Sequence, residues 1–164
     1  MGERMNILVT GCAGFIGSHF VEEALDKGHT VIGVDSLTYA GKLSNMNSFR
    51  NKISFYQFDI CDTEAIKKIA VSNDVDWIIN FAAESHVDNS IKSCDEFVRT
   101  NILGVKSLLD VCRSTSSKML QISTDEVYGT ISFGSFLESD MLNPRNPYSA
   151  TKAAAEHLVN AYGQ

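Results

Sequence analysis

The chain of 164 residues contains no block of like charges. A nucleic-acid-binding surface would show clustered Lys and Arg, whereas this chain has a formal net charge of −6. No nucleic-acid partner is expected, and the charge says nothing about a substrate. No apolar run is long enough to span a bilayer, so no membrane partner is expected either. The stretch Met1 to Asn6 has no apolar core of the kind a signal peptide needs, and Asn6 stands where a myristoylation motif begun by Gly2 requires Ser or Thr. None of the four cysteines (Cys12, Cys61, Cys94, Cys112) forms a CxxC pair, and no His lies at ligand spacing from them. No metal site is therefore expected. Scattered thiols of this kind read as small core residues in a reducing compartment, which fits a cytoplasmic protein. There is no internal repeat, low-complexity tract or linker, so residues 1–164 are expected to form one domain, long enough to bury a core. The hydrophobic share of 44% and charged share of 21% suit a globular fold.

What is present is an alternation. Met5 to Thr10 is a short apolar run stopping at Gly11 and reads as a buried strand. Phe15 to Lys27 has helical apolar spacing, with Gly28 placed to cap it. Thr30 to Val34 is a second strand, ending at Asp35, and Ile53 to Phe58 a third, ending at Asp59. Asp62 to Ser72 is a helix capped by Asp62 or Thr63. Asp76 to Asn80 is a fourth strand, Asp95 to Arg113 a long helix, and Lys118 to Thr124 a fifth strand. Val127 to Pro147 is a long loop, and its length suggests function. Tyr148 to Tyr162 is an Ala-rich final helix. Strands alternating with helices require parallel pairing through crossovers, which gives an α/β, doubly wound parallel sheet of Rossmann type.

Gly11, Gly14 and Gly17 form GxxGxxG between the first strand and first helix. Glycine is needed where the turn is tight and where backbone must approach a pyrophosphate, which the helix N-terminus then holds. Asp35 stands where a ribose-binding acid belongs. Its carboxylate would accept from both ribose hydroxyls and repel a 2′-phosphate, so NAD is favoured over NADP. Asp59 is placed either to bond an adenine amino group or simply to make a turn.

Tyr148 and Lys152 stand four residues apart and share a helix face. A phenol of ordinary pKa about 10 is a poor base at neutral pH. A neighbouring ammonium and a positively charged nicotinamide would lower it, suiting abstraction of a proton from a sugar hydroxyl.

Together, TGCAGFIGS (Thr10 to Ser18), Asp35 and YSATK (Tyr148 to Lys152) resemble the extended short-chain dehydrogenase/reductase family. Within it, VDSLTYAG (Val34 to Gly41), FAAESHVDNSI (Phe81 to Ile91) and ISTDEVYG (Ile122 to Gly129) resemble the dTDP-glucose 4,6-dehydratases. The resemblance runs across nearly the whole chain, with STDEVYG its most specific piece. It implies NAD contacts at Gly11, Gly14, Phe15, Ile16, Gly17, Asp35, Ser36, Leu37, Thr38, Ala40, Gly41, Asp59, Ile60, Phe81, Ala82, Ala83, Ser85, Thr100, Tyr148 and Lys152. It also implies catalytic roles for Thr124, Asp125, Glu126, Tyr148 and Lys152. Tyr148, assisted by Lys152, would take the 4-hydroxyl proton as hydride passes to NAD, with Thr124 bonded to that hydroxyl. Glu126 would take the C5 proton, and Asp125 would protonate the departing 6-hydroxyl.

The scheme needs Asp125 neutral and Glu126 ionised at one pH. It also raises a geometric difficulty: consecutive side chains on a straight strand face opposite ways, so both acids reach one sugar only if the backbone bends. The implied substrate is a nucleotide sugar, with the base, thymidine or uridine, left open. Members of that family are about twice as long, and their second half grips the nucleotide. The chain by itself is therefore expected to be inactive or nearly so, because remote binding energy drives orientation at the reacting centre. Whether it is a truncated or a natural short form is open. The resemblance also implies a homodimer through the 95–113 and 148–162 helices, with Ala150, Ala153, Ala154 and Ala161 permitting close approach. The alternatives are a UDP-sugar 4-epimerase or decarboxylase, which has no need of Asp125 and Glu126, and a noncatalytic NAD-binding module, which needs none of the five catalytic residues.

Overall fold

The computed structural model describes residues 3–163. Five strands form one sheet: β1 (Asn6–Thr10), β2 (Thr30–Val34), β3 (Ser54–Tyr56), β4 (Trp77–Asn80) and β5 (Lys118–Gln121). All pairings are parallel and the order is β3-β2-β1-β4-β5. The order reverses direction between β1 and β4, and ligands of such sheets bind at the carboxyl ends beside that switch.

Register explains the core. Leu8 of β1 pairs with Ile32 and with Ile78, and these three share one face. They pack with Ile66, Ile69 and Ala70 of α2 (Thr63–Ser72) and with Leu108, Val111 and Cys112 of α5 (Val105–Thr115). Ile7, Val9, Val31 and Ile79 face the other way, onto Val21 and Ala24 of α1 (Phe15–Asp26) and onto Met46 and Phe49. Burial on both faces is what makes these strands read as continuous apolar runs. Close packing also fixes a small residue inside β2: a methyl group on Gly33 would meet Cys12 Sγ at 2.8 Å and Ile53 Cδ1 at 2.9 Å.

The described residues divide into two compact units. The first runs to Ala82 and resumes over Ser107–Ile122, and holds the whole sheet. The second comprises Ala83–Lys106 and the chain from Ser123 onward. It contains α3 (Val87–Lys92), α4 (Asp95–Val98), a π-helical segment (Arg99–Gly104) and α6 (Pro147–Tyr162). No helix among the described residues is long and apolar enough to cross a membrane.

Several expected boundaries shift. The expected helix from Asp95 to Arg113 is three pieces, because the π segment widens it between α4 and α5. The short helix α3 lies in a stretch with no helical prediction. The edge strands β3 and β5 are shorter than Ile53–Phe58 and Lys118–Thr124, since only one neighbour holds each. Gly28, with φ +85°, donates to Leu25 O at 2.9 Å and ends α1. Asp62 caps α2 by accepting from Ala65 N at 3.0 Å. None of the four cysteines is in a disulfide: Cys12 and Cys112 are core residues, Cys61 is half-buried and Cys94 is exposed at the start of α4.

A buried polar chain ties the carboxyl ends of three strands. Thr10 Oγ1 donates to Asn80 Oδ1, Ala82 N donates to the same oxygen at 3.1 Å, and Asn80 Nδ2 donates to Gln121 Oε1 at 2.7 Å. Thr10 and Asn80 are both fully buried. Asn80→Ala leaves these partners unsatisfied and is expected to cost about 2 kcal/mol. Urea unfolding measures it, and an unchanged midpoint would mean that the amide is a bystander.

Candidate functional site

In the first unit, the candidate cofactor residues gather at the carboxyl edge of the sheet. Gly11 follows β1, Asp35 to Gly41 follow β2, Asp59 and Ile60 come after β3, and Phe81 and Ala82 follow β4. Gly11 has φ +70°, and a Cβ there would lie 2.6 Å from Ala82 N. A Cβ on Gly17 would strike Gly11 O. The turn therefore closes only with glycine. Helix α1 then starts at Gly14 with no side-chain cap and no acidic residue in its first turn. Its positive end is left uncompensated, as an anion-binding helix requires. Phe15 and Ile16 stand 75% and 64% exposed on that first turn, where a core-facing reading would bury them. These features fit the pyrophosphate of a dinucleotide.

Asp35 has a second role that the sequence reading did not foresee. Its Oδ2 accepts from Ala13 N at 2.9 Å and its Oδ1 from Leu37 N at 2.8 Å, so the carboxylate braces the glycine turn as well as the loop after β2. Each oxygen keeps a second lone pair for a ribose hydroxyl. Leu37 takes φ +56°, and a Cβ on Gly41 would approach Asp35 Oδ1 to 2.5 Å, so backbone presses on this acid. Ser36, Thr38 and Ala40 are exposed around it. Burial, and next the Asp35 charge, push the Cys12 thiol up to about 12. Asp59 accepts from Cys61 N at 2.8 Å in the turn after β3, while Ile60 is buried.

The second unit holds Ala83, Ser85, Thr100 and all five candidate catalytic residues. The bend that the acid pair requires is present. Asp125–Tyr128 form a 3-10 turn directly after Thr124, whose hydroxyl accepts from Glu126 N at 3.3 Å. The turn frees Asp125 and Glu126 from strand alternation. Asp125 is exposed and Glu126 half-buried. Tyr148 lies on the first turn of α6, its ring edge-on to Phe97 at 6.4 Å, and its hydroxyl is hydrogen-bonded to Thr124. Both acids act electrostatically on the phenol. Lys152, one turn further along α6, is 5% exposed.

The electrostatics correct one expectation. The Tyr148 phenol is raised, not lowered. Burial raises it most, the Thr124 hydrogen bond lowers it, and the charges of Glu126 and Asp125 raise it again. Lys152 is lowered to about 8 by burial, which outweighs the Glu156 charge that supports its ammonium. The charges that act on the phenol are those of the two acids, so burial and like charge set its direction.

Two asparagines missed in the sequence organise this unit. Asn146 caps α6, accepting from Ser149 N at 2.8 Å, and its Nδ2 donates to Glu126 Oε2 at 2.9 Å. Pro147 at the first helical position followed by Ser149 was the available signal for that cap, and it starts the helix one residue before Tyr148. Asn101, 1% exposed within the π segment, donates to Glu84 O at 2.9 Å and Thr151 Oγ1 at 3.0 Å, and accepts from Glu84 N at 2.9 Å. π-Bulges often mark functional positions, but no sequence signal placed one here. Of the four small residues assigned to a dimer contact, Ala153 is buried within this chain and Ala154 half-buried, while Ala150 and Ala161 are exposed.

Comparison with known proteins adds four findings. A family model described as GDP-mannose 4,6 dehydratase matches residues 8–164. The low-salt glycan biosynthesis protein Agl12 of Haloferax volcanii is 49% identical over 162 residues, covering 96% of this chain and 52% of that protein. A dTDP-glucose 4,6-dehydratase of Xanthomonas campestris pv. campestris is 42% identical, covering 94% of this chain and 48% of its own length. The crystal structure of a dTDP-glucose 4,6-dehydratase from Bacillus anthracis in complex with NAD superposes with a TM-score of 0.88 at 39% identity, covering 96% of this chain and 50% of that one. The chain spans about half the length of the curated relatives it matches.

The depressed Lys152 amine sets the sign of a pH effect on stability. Between about 8 and the ordinary 10.5, the unfolded chain holds a proton that the folded chain has released. The unfolded state binds more protons there, so this group makes unfolding harder as pH rises, by at most about 1.4 kcal/mol per unit. Lys152→Met is expected to remove that slope. Urea unfolding of both proteins at a series of pH values from 8 to 9 checks this, and parallel trends in the two would rule it out.

Proposed function

The chain belongs to the GDP-mannose 4,6 dehydratase family, and on that premise we propose that the protein acts as an NAD-dependent nucleotide-sugar 4,6-dehydratase. Its substrate would be dTDP-glucose and its product the 4-keto-6-deoxy sugar. The observation that carries the reading is the turn Asp125–Tyr128, which presents a threonine and two acids together with the phenol of Tyr148. A 4-epimerase or a noncatalytic NAD-binding module needs no such acid pair.

When bound, NAD accepts a hydride from C4 of the sugar and returns it at C6. The glycine turn and the start of α1 would hold its pyrophosphate, and Asp35 its adenosine ribose. Tyr148 takes the proton of the 4-hydroxyl, with Thr124 bonded to the same hydroxyl and Lys152 supporting the phenolate. The phenol is raised in the chain by itself, so the positive nicotinamide and the Lys152 ammonium must overcome its burial first and then the charges of Glu126 and Asp125. Once C4 is a ketone the C5 proton is acidic, and Glu126, held by Asn146, takes it. Asp125 protonates the 6-hydroxyl, which leaves as water. Glu126 gives its proton back to C5 as hydride returns to C6, and the proton left on Tyr148 offsets the one Asp125 lost.

The same reading gives the protein a cytoplasmic setting, which four cysteines without a disulfide suit. It also gives a homodimer through the 95–113 and 148–162 helices, supported by the exposure of Val98 and Leu103, at 39% and 55%. The activity is proposed for a protein of the relatives' length.

The test uses a form of that length. Formation of the 4-keto-6-deoxy product from dTDP-glucose is expected to depend on NAD. Glu126→Gln should abolish dehydration yet leave slow oxidation at C4, seen as reduced cofactor at 340 nm. A variant that still dehydrates at the normal rate removes Glu126 from the mechanism.

A further inference from the structure

Lys152 is a cation placed where water barely reaches it. It is 5% exposed, and burial of this degree disfavours the charged form of an amine. Glu156 stands one helical turn further along α6, at the i,i+4 spacing that brings two side chains together. It is half-buried, and its Oε1 accepts a hydrogen bond from the Ser123 hydroxyl, contributed by the stretch that leads into the Thr124 turn. A carboxylate fixed by a hydroxyl loses less rotamer freedom when it faces a cation, and a partly desolvated position strengthens the attraction.

We propose that Glu156, anchored by Ser123, is a positioning residue for Lys152: it supplies the countercharge that keeps this buried amine protonated, and so governs the charge beside Tyr148. The inference deepens the dehydratase reading by adding a residue that touches neither sugar nor cofactor. Other titratable and charged groups lie on elements packed against α6: Asp88 and Lys92 on α3, Asp95 and Glu96 on α4, Arg99 on the π segment, and Asp125, Glu126 and Tyr128 on the turn. The charge of Glu156 acts on Lys152 and favours its ammonium. The arrangement also links two parts of the candidate site. Ser123 immediately precedes Thr124, so the segment that presents Thr124, Asp125 and Glu126 is tied to the carboxylate that serves Lys152.

The test is direct titration of the Lys152 amine by NMR in the chain labelled on lysine, with the signal assigned by its loss in Lys152→Met. The unaltered amine is expected to titrate near 8. Glu156→Gln should lower that midpoint by roughly one unit, a tenfold loss of proton affinity. Ser123→Ala should move it the same way by less, and Glu156→Asp should restore part of the shift. An unchanged midpoint in Glu156→Gln overturns the proposal. Should that variant not fold, an unchanged midpoint in Ser123→Ala overturns it instead. In a form of the relatives' length, Glu156→Gln should also shift the alkaline limb of kcat to lower pH. If the amine shifts but that limb does not, the coupling stands and the role given to Lys152 in the reaction fails.

Discussion

One buried amide fixes the edge of the sheet on which the candidate cofactor residues stand. Asn80 Oδ1 accepts from the Thr10 hydroxyl on one side and from Ala82 N on the other, and Gly11 lies between those two anchors. The peptide joining Phe81 to Ala82 therefore cannot retreat, and the glycine turn has to form against it. The absence of a Cβ at Gly11 follows from this constraint as much as from any ligand. Asp35 then reaches across from β2 to hold Ala13 N, so strands on both sides of β1 brace the same turn. Rigidity of this kind matters in a phosphate cradle, because donors already in place lose little entropy when the anion arrives.

The second unit uses the same device twice. Asn146 spends one end of its side chain on the start of α6 and the other on Glu126. The orientation of the acid thus depends on a helix cap, and the helix it caps carries Tyr148 and Lys152. Asn101 anchors the stretch after β4 to α6 through Thr151, and the π segment turns its side chain inward. Three amides, at positions 80, 101 and 146, thus do much of the aligning that a pattern of apolar residues cannot do, since apolar contacts are not directional.

That division explains what could be read in advance. The parallel sheet was legible because β1, β2 and β4 are short apolar runs, and α1, α2 and the stretch from Asp95 to Arg113 carry periodic apolar faces. The glycine turn and the Tyr148–Lys152 pair were legible because their parts are close in sequence. The amides were not: Asn80 meets Thr10 and Gln121 at separations of 70 and 41 residues, and Asn101 meets Thr151 at 50. Nothing local distinguishes these from solvent-facing asparagines. The π segment was hidden for a similar reason, since a one-residue widening leaves the apolar stripe of Asp95 to Arg113 nearly intact. The direction of the phenol shift was also out of reach, because it depends on burial and on two acids more than 20 positions away.

Gly33 has a consequence for how such a chain can vary. Its missing side chain is the space occupied by the thiol of Cys12 on the neighbouring turn. The two positions share one small volume with the tip of Ile53, so a methyl at 33 is tolerable only where position 12 shrinks and the Ile53 side chain gives way. Homologous chains should therefore exchange bulk between these sites in pairs, and a Cys12 substitution larger than the thiol would push β2 outward and with it Asp35, two residues downstream.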